Sequence, residues 1–519
     1  MSRTVKGAIA AGHQKTARAG IEMLQVGGNA FDAAIASMLA SFVTETGLTS
    51  AAGGGFFLAH TEANRNILYD FFTQTPLQKK SLQNINFYPV NVDFGGAVQQ
   101  FHIGLGSMAV PGNIAGVFYI HRQLGRLPFN VVAEPAINYA KTGIKITDFQ
   151  YYILNLLKPI LLASQPGKNI YAPNGKLLQI GETVVMPDLA DTLSYLVSAG
   201  PREFYEGEIA KKLVKDCQEQ GGYISLTDLK NYQVIERKPL NINYRGQTLL
   251  TNPPPSSGGA LIAFALELLS QVNLAELGFG SASHLQVLAE VMRLTNGARQ
   301  ENFDSHIYQP DIIEKFLATE KLTTYQTLLT KVINKLGSTT HISVLDREGN
   351  AASVTTSNGE GSGYIIPGTG IIVNNMLGEE DLNPQGFHQW PENVRLSSMM
   401  APTIVMGDNQ ANIVLGSGGS NRIRTAILQV ISNIIDFQMS VKKAVDSPRV
   451  HWENERFDVE PGFDLNEVQK TQLPENTQLR LWEYQNMFFG GVNTVAIGDG
   501  GMIYGAGDRR RSGVSIIAR

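Results

Sequence analysis

Apolar residues recur at helical spacing over 16–26, and the pattern stops at Gly27 and Gly28, residues that end helices. Asn29 then offers an N-cap for a second helix over 30–43, apolar on nearly every face and so expected to be buried. Gly53-Gly54-Gly55 follows, and 56–60 reads as a strand leaving that tight glycine loop. The middle third predicts helices over 115–124, 131–142, 189–199, 208–220, 260–269 and 284–298. Pro253-Pro254-Pro255-Ser256-Ser257-Gly258-Gly259 is a rigid turn with apolar structure on both sides, which suits a packed loop better than a linker. Beyond about residue 338 the period shortens. Strands over 341–345 and 351–357 form a hairpin about the turn 346–350. Further strands are expected at 370–373, 403–406, 411–415, 494–497 and 502–504, with a helix over 425–437. Helices flanking largely antiparallel strands predict a layered α+β sandwich rather than a doubly wound parallel sheet.

Composition sharpens this picture. The 519 residues are 43% hydrophobic and only 17% charged, which excludes a disordered chain and suits one large interior. Length alone would suggest roughly three or four domains. A net charge of −4 argues against a nucleic-acid or membrane-surface partner. The one cysteine, Cys217, allows no internal disulfide. Residues 1–15 have no continuous apolar core to serve as a secretory signal. The run 30–43 carries Asp32 and is too short to span a bilayer. A cytoplasmic location is the expectation.

Several chemistries fall away. The nine histidines have no metal spacing, and with one cysteine neither a metal site nor another cofactor is expected. Neither a P-loop nor a GxSxG elbow occurs. Gly104-Leu105-Gly106-Ser107-Met108-Ala109 has a dinucleotide-like spacing, but Pro111 would interrupt the helix such a site needs. The run Asp508-Arg509-Arg510-Arg511 reads as a solvated turn near the C-terminus.

Three segments carry candidate chemistry. Gly337-Ser338-Thr339-Thr340-His341 is either a turn feeding a strand or a self-cleavage site that makes Thr339 an N-terminus. A free N-terminal threonine joins a nucleophilic hydroxyl to its own amine as general base. Gly416-Ser417-Gly418-Gly419-Ser420 is either a strand–helix connection or an oxyanion hole of backbone N–H groups. Arg395-Leu396-Ser397-Ser398-Met399 is either another turn or a pair of hydroxyls for a substrate carboxylate. Spacing alone decides none of these.

The order of motifs does. GHQKTARAGIEMLQVGGNAFDAAIA, AVPGNIAG, FYEGEIA, GGYISLTDLKNY and PPPSSGG precede TTHISVLDREGNAASVT, GTGIIVNN, RLSSMMAPTIV, GSGGSNRI, DSPRVHW and GAGDRRRSG. In these the chain resembles the γ-glutamyltranspeptidase family of N-terminal-nucleophile hydrolases over nearly its whole length. The resemblance implies a four-layer αββα sandwich made as one precursor. The resemblance further implies a cut between Ser338 and Thr339 into a large chain, 1–338, and a small chain, 339–519, expected to stay associated as one domain. It implies Thr339 as nucleophile, Thr340 as the second threonine of the motif at the substrate site, and Gly418 and Gly419 as the oxyanion glycines. Ser397 and Ser398 match the pair that binds the α-carboxylate of a γ-glutamyl group. Ser357 stands where a threonine contacts the nucleophile's amine, and Asn358 stands for a nearby asparagine.

Three departures matter. The family's DFRE, whose arginine clamps the α-carboxylate, is here Asp70-Phe71-Phe72-Thr73, and losing a charge-assisted contact costs about 1.5–3 kcal/mol. The family's NNQMDDF is here Asn374-Asn375-Met376-Leu377-Gly378-Glu379-Glu380, which leaves Glu379 or Glu380 for the substrate's α-amino group. The stretch from 375 to 397 is short for the family's lid loop, implying a more open site. The leading expectation is a self-processing enzyme that opens γ-glutamyl amides such as glutathione, passing the acyl group to water or an acceptor amine. The alternative is an amidase or acylase of the same fold with another acyl group. An uncut binding protein on the same scaffold is a third reading.

Overall fold

The computed structural model describes residues 5–93, 98–328, 339–383, 385–473 and 476–519. Two antiparallel sheets form its middle. The first has seven strands, in spatial order Val514–Ala518, Gly7–Ala11, Thr340–Asp346, Ala351–Ser357, Gly54–His60, Asn66–Phe71 and Ile235–Arg237. The second has six, Ile503–Ala506, Gly491–Ile497, Ala411–Gly418, Thr403–Met406, Gln247–Thr251 and Leu240–Tyr244. Both sheets therefore draw strands from either side of position 339.

Helices Gln14–Gln25 and Ala30–Thr44 cover the first sheet, and Gly258–Ser270 and Arg422–Ile435 cover the second, giving the αββα order. Every residue of Ala30–Thr44 is buried, which its all-round apolar sequence requires. Its start is fixed by reciprocal capping: Asn29 Oδ1 accepts from the Asp32 N–H at 2.9 Å, and Asp32 Oδ2 accepts from the Asn29 N–H at 3.0 Å. The layer between the sheets is threaded with polar groups, several of them partnered across the gap. Ser353 Oγ donates to Leu415 O at 3.0 Å, Ser343 Oγ to Asn493 O at 3.0 Å, and Asn493 Nδ2 to His341 O at 2.8 Å.

The expected hairpin forms as Thr340–Asp346 and Ala351–Ser357, in register from Thr340 opposite Thr356 to Leu345 opposite Ala351. Three expectations need correction. The segment 370–373 is not a strand: only isolated bridges form, Ala52 to Val373 and Ile365 to Ile372. Positive φ at Gly368 and Gly370 turns the backbone there, and Thr369 Oγ1 bonds Ile366 O and the Ile371 N–H instead of a ladder. The glycine run at 416–419 is partly strand, since Ala411–Gly418 continues three residues beyond Leu415. The turn Asp508-Arg509-Arg510-Arg511 is not solvated: Asp508, Arg510 and Arg511 are buried. Arg449 Nη2 meets Asp508 at 2.6 Å, and Arg510 Nε donates to Glu460 at 2.7 Å, so charge pairing replaces the water these groups give up. No helix among the described residues is long and apolar enough to cross a membrane.

Candidate active site

Thr339 sits immediately ahead of the Thr340–Asp346 strand, with 4% of its surface exposed. The neighbouring sheet comes up against its backbone. A Cβ on Gly418 would lie 1.9 Å from the Thr339 carbonyl oxygen and 2.7 Å from its carbon, so only glycine fits. Gly419 follows at φ +125°, a conformation that also demands glycine. Ser417 Oγ fixes this loop, donating to Gly418 O at 2.8 Å and accepting from the Gly491 N–H at 3.0 Å. Gly418 thus holds the backbone against Thr339, and Gly419 packs on Arg511 and Gly490, just ahead of helix Arg422–Ile435.

The cleft at Thr339 is lined by Ser357, Glu379, Asp381, Ser398 and Ser420 among polar residues, and by Phe72, Met376, Leu382, Met399, Met400 and Ile423. Ser357 ends the adjacent strand, and its Oγ accepts from the Gly359 N–H at 3.0 Å. Asn358 does not line the cleft; its Oδ1 accepts from Ser50 Oγ at 2.7 Å. Thr340 is likewise engaged elsewhere, donating through Oγ1 to Glu45, which also accepts from Thr16 Oγ1 at 2.8 Å. Burial raises the Glu45 pKa above the ordinary glutamate value, against the lowering effect of those two hydroxyls.

The acidic wall resolves an ambiguity. Glu379 is buried in the cleft, whereas Glu380 is exposed on the surface. Burial, then the neighbouring Glu360 and Asp381 charges, push the Glu379 carboxyl well above its usual range. Asp381, not anticipated from the sequence, lines the same cleft, and burial raises its pKa to about 6 although Ser420 Oγ donates to it. The signal for Asp381 was the uninterrupted acid run at 379–381, one residue longer than the pair considered.

Ser398 lines the cleft, and its Oγ accepts from the Met400 N–H at 3.0 Å. The proline-rich turn holds it in place: Ser256 Oγ and the Ser257 N–H donate to Ser398 O at 2.9 and 2.8 Å. Ser397 lines an adjoining cavity of about 140 Å³ with Arg299, Asp304, Tyr308 and Trp390, and that cavity shares Asp381 and Leu382 with the Thr339 cleft. Phe72 is fully buried, stacked on Phe56 at 5.4 Å. Arg395 supports it from behind, donating to Phe72 O at 2.9 Å and pairing with Asp70 at 3.3 Å.

The histidine of the same strand is held away from the cleft. His341 is buried, with Nδ1 on Thr355 Oγ1 at 2.8 Å and Nε2 on Ser343 Oγ at 2.9 Å. Burial depresses its pKa to about 3, and it does not line the cleft. A second residue missed by sequence reasoning is Arg511, whose Nη1 donates to Thr339 O at 3.2 Å and Nη2 to Met487 O at 3.2 Å. Among the described residues no group of His, Cys, Asp and Glu is arranged to hold a metal ion. Ser338 and the bond before Thr339 lie outside the described residues.

Comparison with known proteins follows this geometry. The family model described as Gamma-glutamyltranspeptidase matches residues 16–518. The chain is 30% identical to a glutathione hydrolase proenzyme of Escherichia coli (strain K12), over 98% of this chain and 91% of that one. It is also 30% identical to the acylase ACY 1 proenzyme of Pseudomonas sp. (strain SE83), over 98% and 93% of the two chains. The fold matches the crystal structure of cephalosporin acylase from Bacillus halodurans with a TM-score of 0.84, at 23% identity, covering 99% and 97% of the chains.

Proposed function

The chain belongs to the γ-glutamyltranspeptidase family, and on that premise we propose that it is a self-processing amidase and acyl transferase acting through Thr339. The observation that carries this reading is the buried Thr339 at the head of a central strand, with Gly418 pressed against its backbone. In the precursor, Thr339 Oγ attacks the Ser338 carbonyl and the Thr339 nitrogen leaves as an amine. Water then hydrolyses the ester, giving the chains 1–338 and 339–519. The shared sheets keep the two together.

In turnover the Thr339 amine takes the proton from its own Oγ as that oxygen bonds the donor carbonyl. N–H groups of Gly418 and Gly419 steady the tetrahedral oxyanion, a contribution of about 10²–10³ in rate per donor in comparable sites. The ammonium returns its proton to the leaving amine, and water or an acceptor amine then opens the acyl ester. The donor we favour is a γ-glutamyl amide such as glutathione, its α-amino group facing Glu379 and Asp381 and its α-carboxylate facing Ser397 and Ser398.

One observation favours a second reading. Phe72 puts an apolar ring where the family's arginine would stand, which suits an acyl group of another kind. Mass spectrometry of the purified protein with a panel of acyl donors separates the two. A γ-glutamyl adduct on Thr339 supports the first, an adduct from an uncharged acyl donor alone supports the second, and an uncut chain with no adduct overturns both.

A further inference from the structure

Arg511 comes from a run that looks like surface charge, yet its guanidinium is sealed beside the nucleophile. One arm reaches Thr339 O and the other Met487 O, both at 3.2 Å. A Cβ on Gly419 would lie 3.1 Å from Arg511 Nη2, and one on Gly491 2.6 Å from its Cδ, so glycines make the channel that admits the side chain. It therefore touches the nucleophile residue and the oxyanion loop together.

We propose that Arg511 is a positioning residue for the nucleophile: it clamps the Thr339 carbonyl, and after cleavage its charge holds the Thr339 α-amine in the neutral form that takes the hydroxyl proton. This rests on the reading of Thr339 as nucleophile and new N-terminus. The carbonyl that Arg511 holds belongs to the same residue as that amine, so the cation and the amine lie within one residue's span. A cation so placed disfavours protonation of an amine.

The other ionisable groups around Thr339 are few. Glu379 and Asp381 line the cleft, with Glu360 beside Glu379. Glu45 reaches Thr340 from the end of helix Ala30–Thr44, and Arg422 lies near both Arg511 and Asp381. Burial raises the carboxyl pKa values of Glu45, Glu379 and Asp381, and Asp508 and Glu360 are the acids whose charges act on Arg511 itself. Burial, then Arg422, lower the Arg511 pKa only to about 10, so it stays charged at neutral pH.

The test uses an activated ester and needs no natural donor. Processed enzyme is treated with p-nitrophenyl acetate from pH 5 to 9, and acetylation of Thr339 is followed by mass spectrometry. The acetyl carbon bonds Oγ, p-nitrophenolate leaves with the electron pair, and the Oγ proton passes to the amine. In wild type the rate is expected to rise with a midpoint below about 7, under the ~7.7–8.0 of an ordinary α-amine. Arg511→Gln should move that midpoint up by about one pH unit. Arg511→Lys, which keeps charge and loses the two-armed grip, should keep the midpoint and lower the plateau rate. Coincident midpoints in wild type and Arg511→Gln overturn the proposal. Should Arg511→Gln fail to fold, the wild-type curve decides alone, since a midpoint at 8 or above also overturns it. A normal Thr339 adduct accompanies either of those failures, whereas an intact chain with no adduct removes the underlying reading itself.

Discussion

One wall of the Thr339 cleft is built of backbone and the other of side chains. On the first, Gly418 lies so near the Thr339 carbonyl that no Cβ fits, and Ser417 and Arg511 fasten the pieces by hydrogen bonds. On the second, Phe72, Glu379 and Asp381 meet across a space framed by methionines and Leu382, with two acids whose pKa values burial has raised. The sequence departures at Phe72 and at 379–381 fall on the second wall, beside the matching segment that carries Ser398, Met399 and Met400. On the proposed reading, the wall that breaks the bond tolerates no extra atom, whereas recognition would depend on which charges face the donor and could be rewritten one residue at a time.

The sharpest way to break this contrast is Thr339→Ala. Denaturing gels should show a single full-length band where wild type gives two, and acyl adducts should vanish; two bands in the variant would refute the assignment. Gly418→Ala comes next, placing a methyl where the Thr339 carbonyl oxygen stands. Processing and turnover should each fall by about 100-fold, read from gel time courses and initial rates. Near-normal rates would mean the backbone wall has slack.

Asp381→Asn tests the other wall. Above about pH 6 the wild-type carboxylate ionises, so KM for a donor carrying an α-amino group should fall as pH rises through that value. The variant should lose this dependence, with KM about 10-fold higher at pH 8. Stability should move oppositely. An acid with a raised folded pKa contributes stability that is present below its unfolded value and lost as pH rises through its folded one. Asp381→Asn should therefore melt above wild type at pH 8 and level with it below about pH 4, a difference thermal scans at the two pH values would reveal. The smallest effect is expected from Phe72→Arg, a few-fold shift in kcat/KM toward γ-glutamyl anilide over its 4-aminobutyryl counterpart. No shift would show that the carboxylate is anchored elsewhere.

The segments that bring Thr339, Ser417 and Gly418 together were legible in the sequence as local motifs, through their family resemblance rather than their spacing, whereas Arg511 was not. Long periodic helices with explicit caps, such as the one started by Asn29 and Asp32, were legible from their own pattern. Short strands were not. Gly7–Ala11 is small residues around Ile9, buried on both faces, so no alternation marks it, and its ladder is with Thr340–Asp346 and Val514–Ala518. Arg510 and Arg511 read as solvated from the sequence because a charge run is buried only when distant acids and carbonyls receive it. Glu460, Asp508, Met487 and Thr339 do so here. Choosing Glu379 over Glu380, and finding Asp381, likewise required the fold of the 376–382 segment.

The interleaving of strands from both sides of position 339 has one last consequence. Before a cut at that position, folding is unimolecular, and its rate does not depend on how much protein is present. Afterwards the strand Thr340–Asp346 still lies beside Gly7–Ala11, but the two belong to separate molecules. Recovery from denaturation then becomes a second-order reaction that dilution slows without limit. The lifetime of a cut form would therefore be set by its rate of unfolding, and a population once unfolded would be replaced by synthesis of new precursor rather than by renaturation.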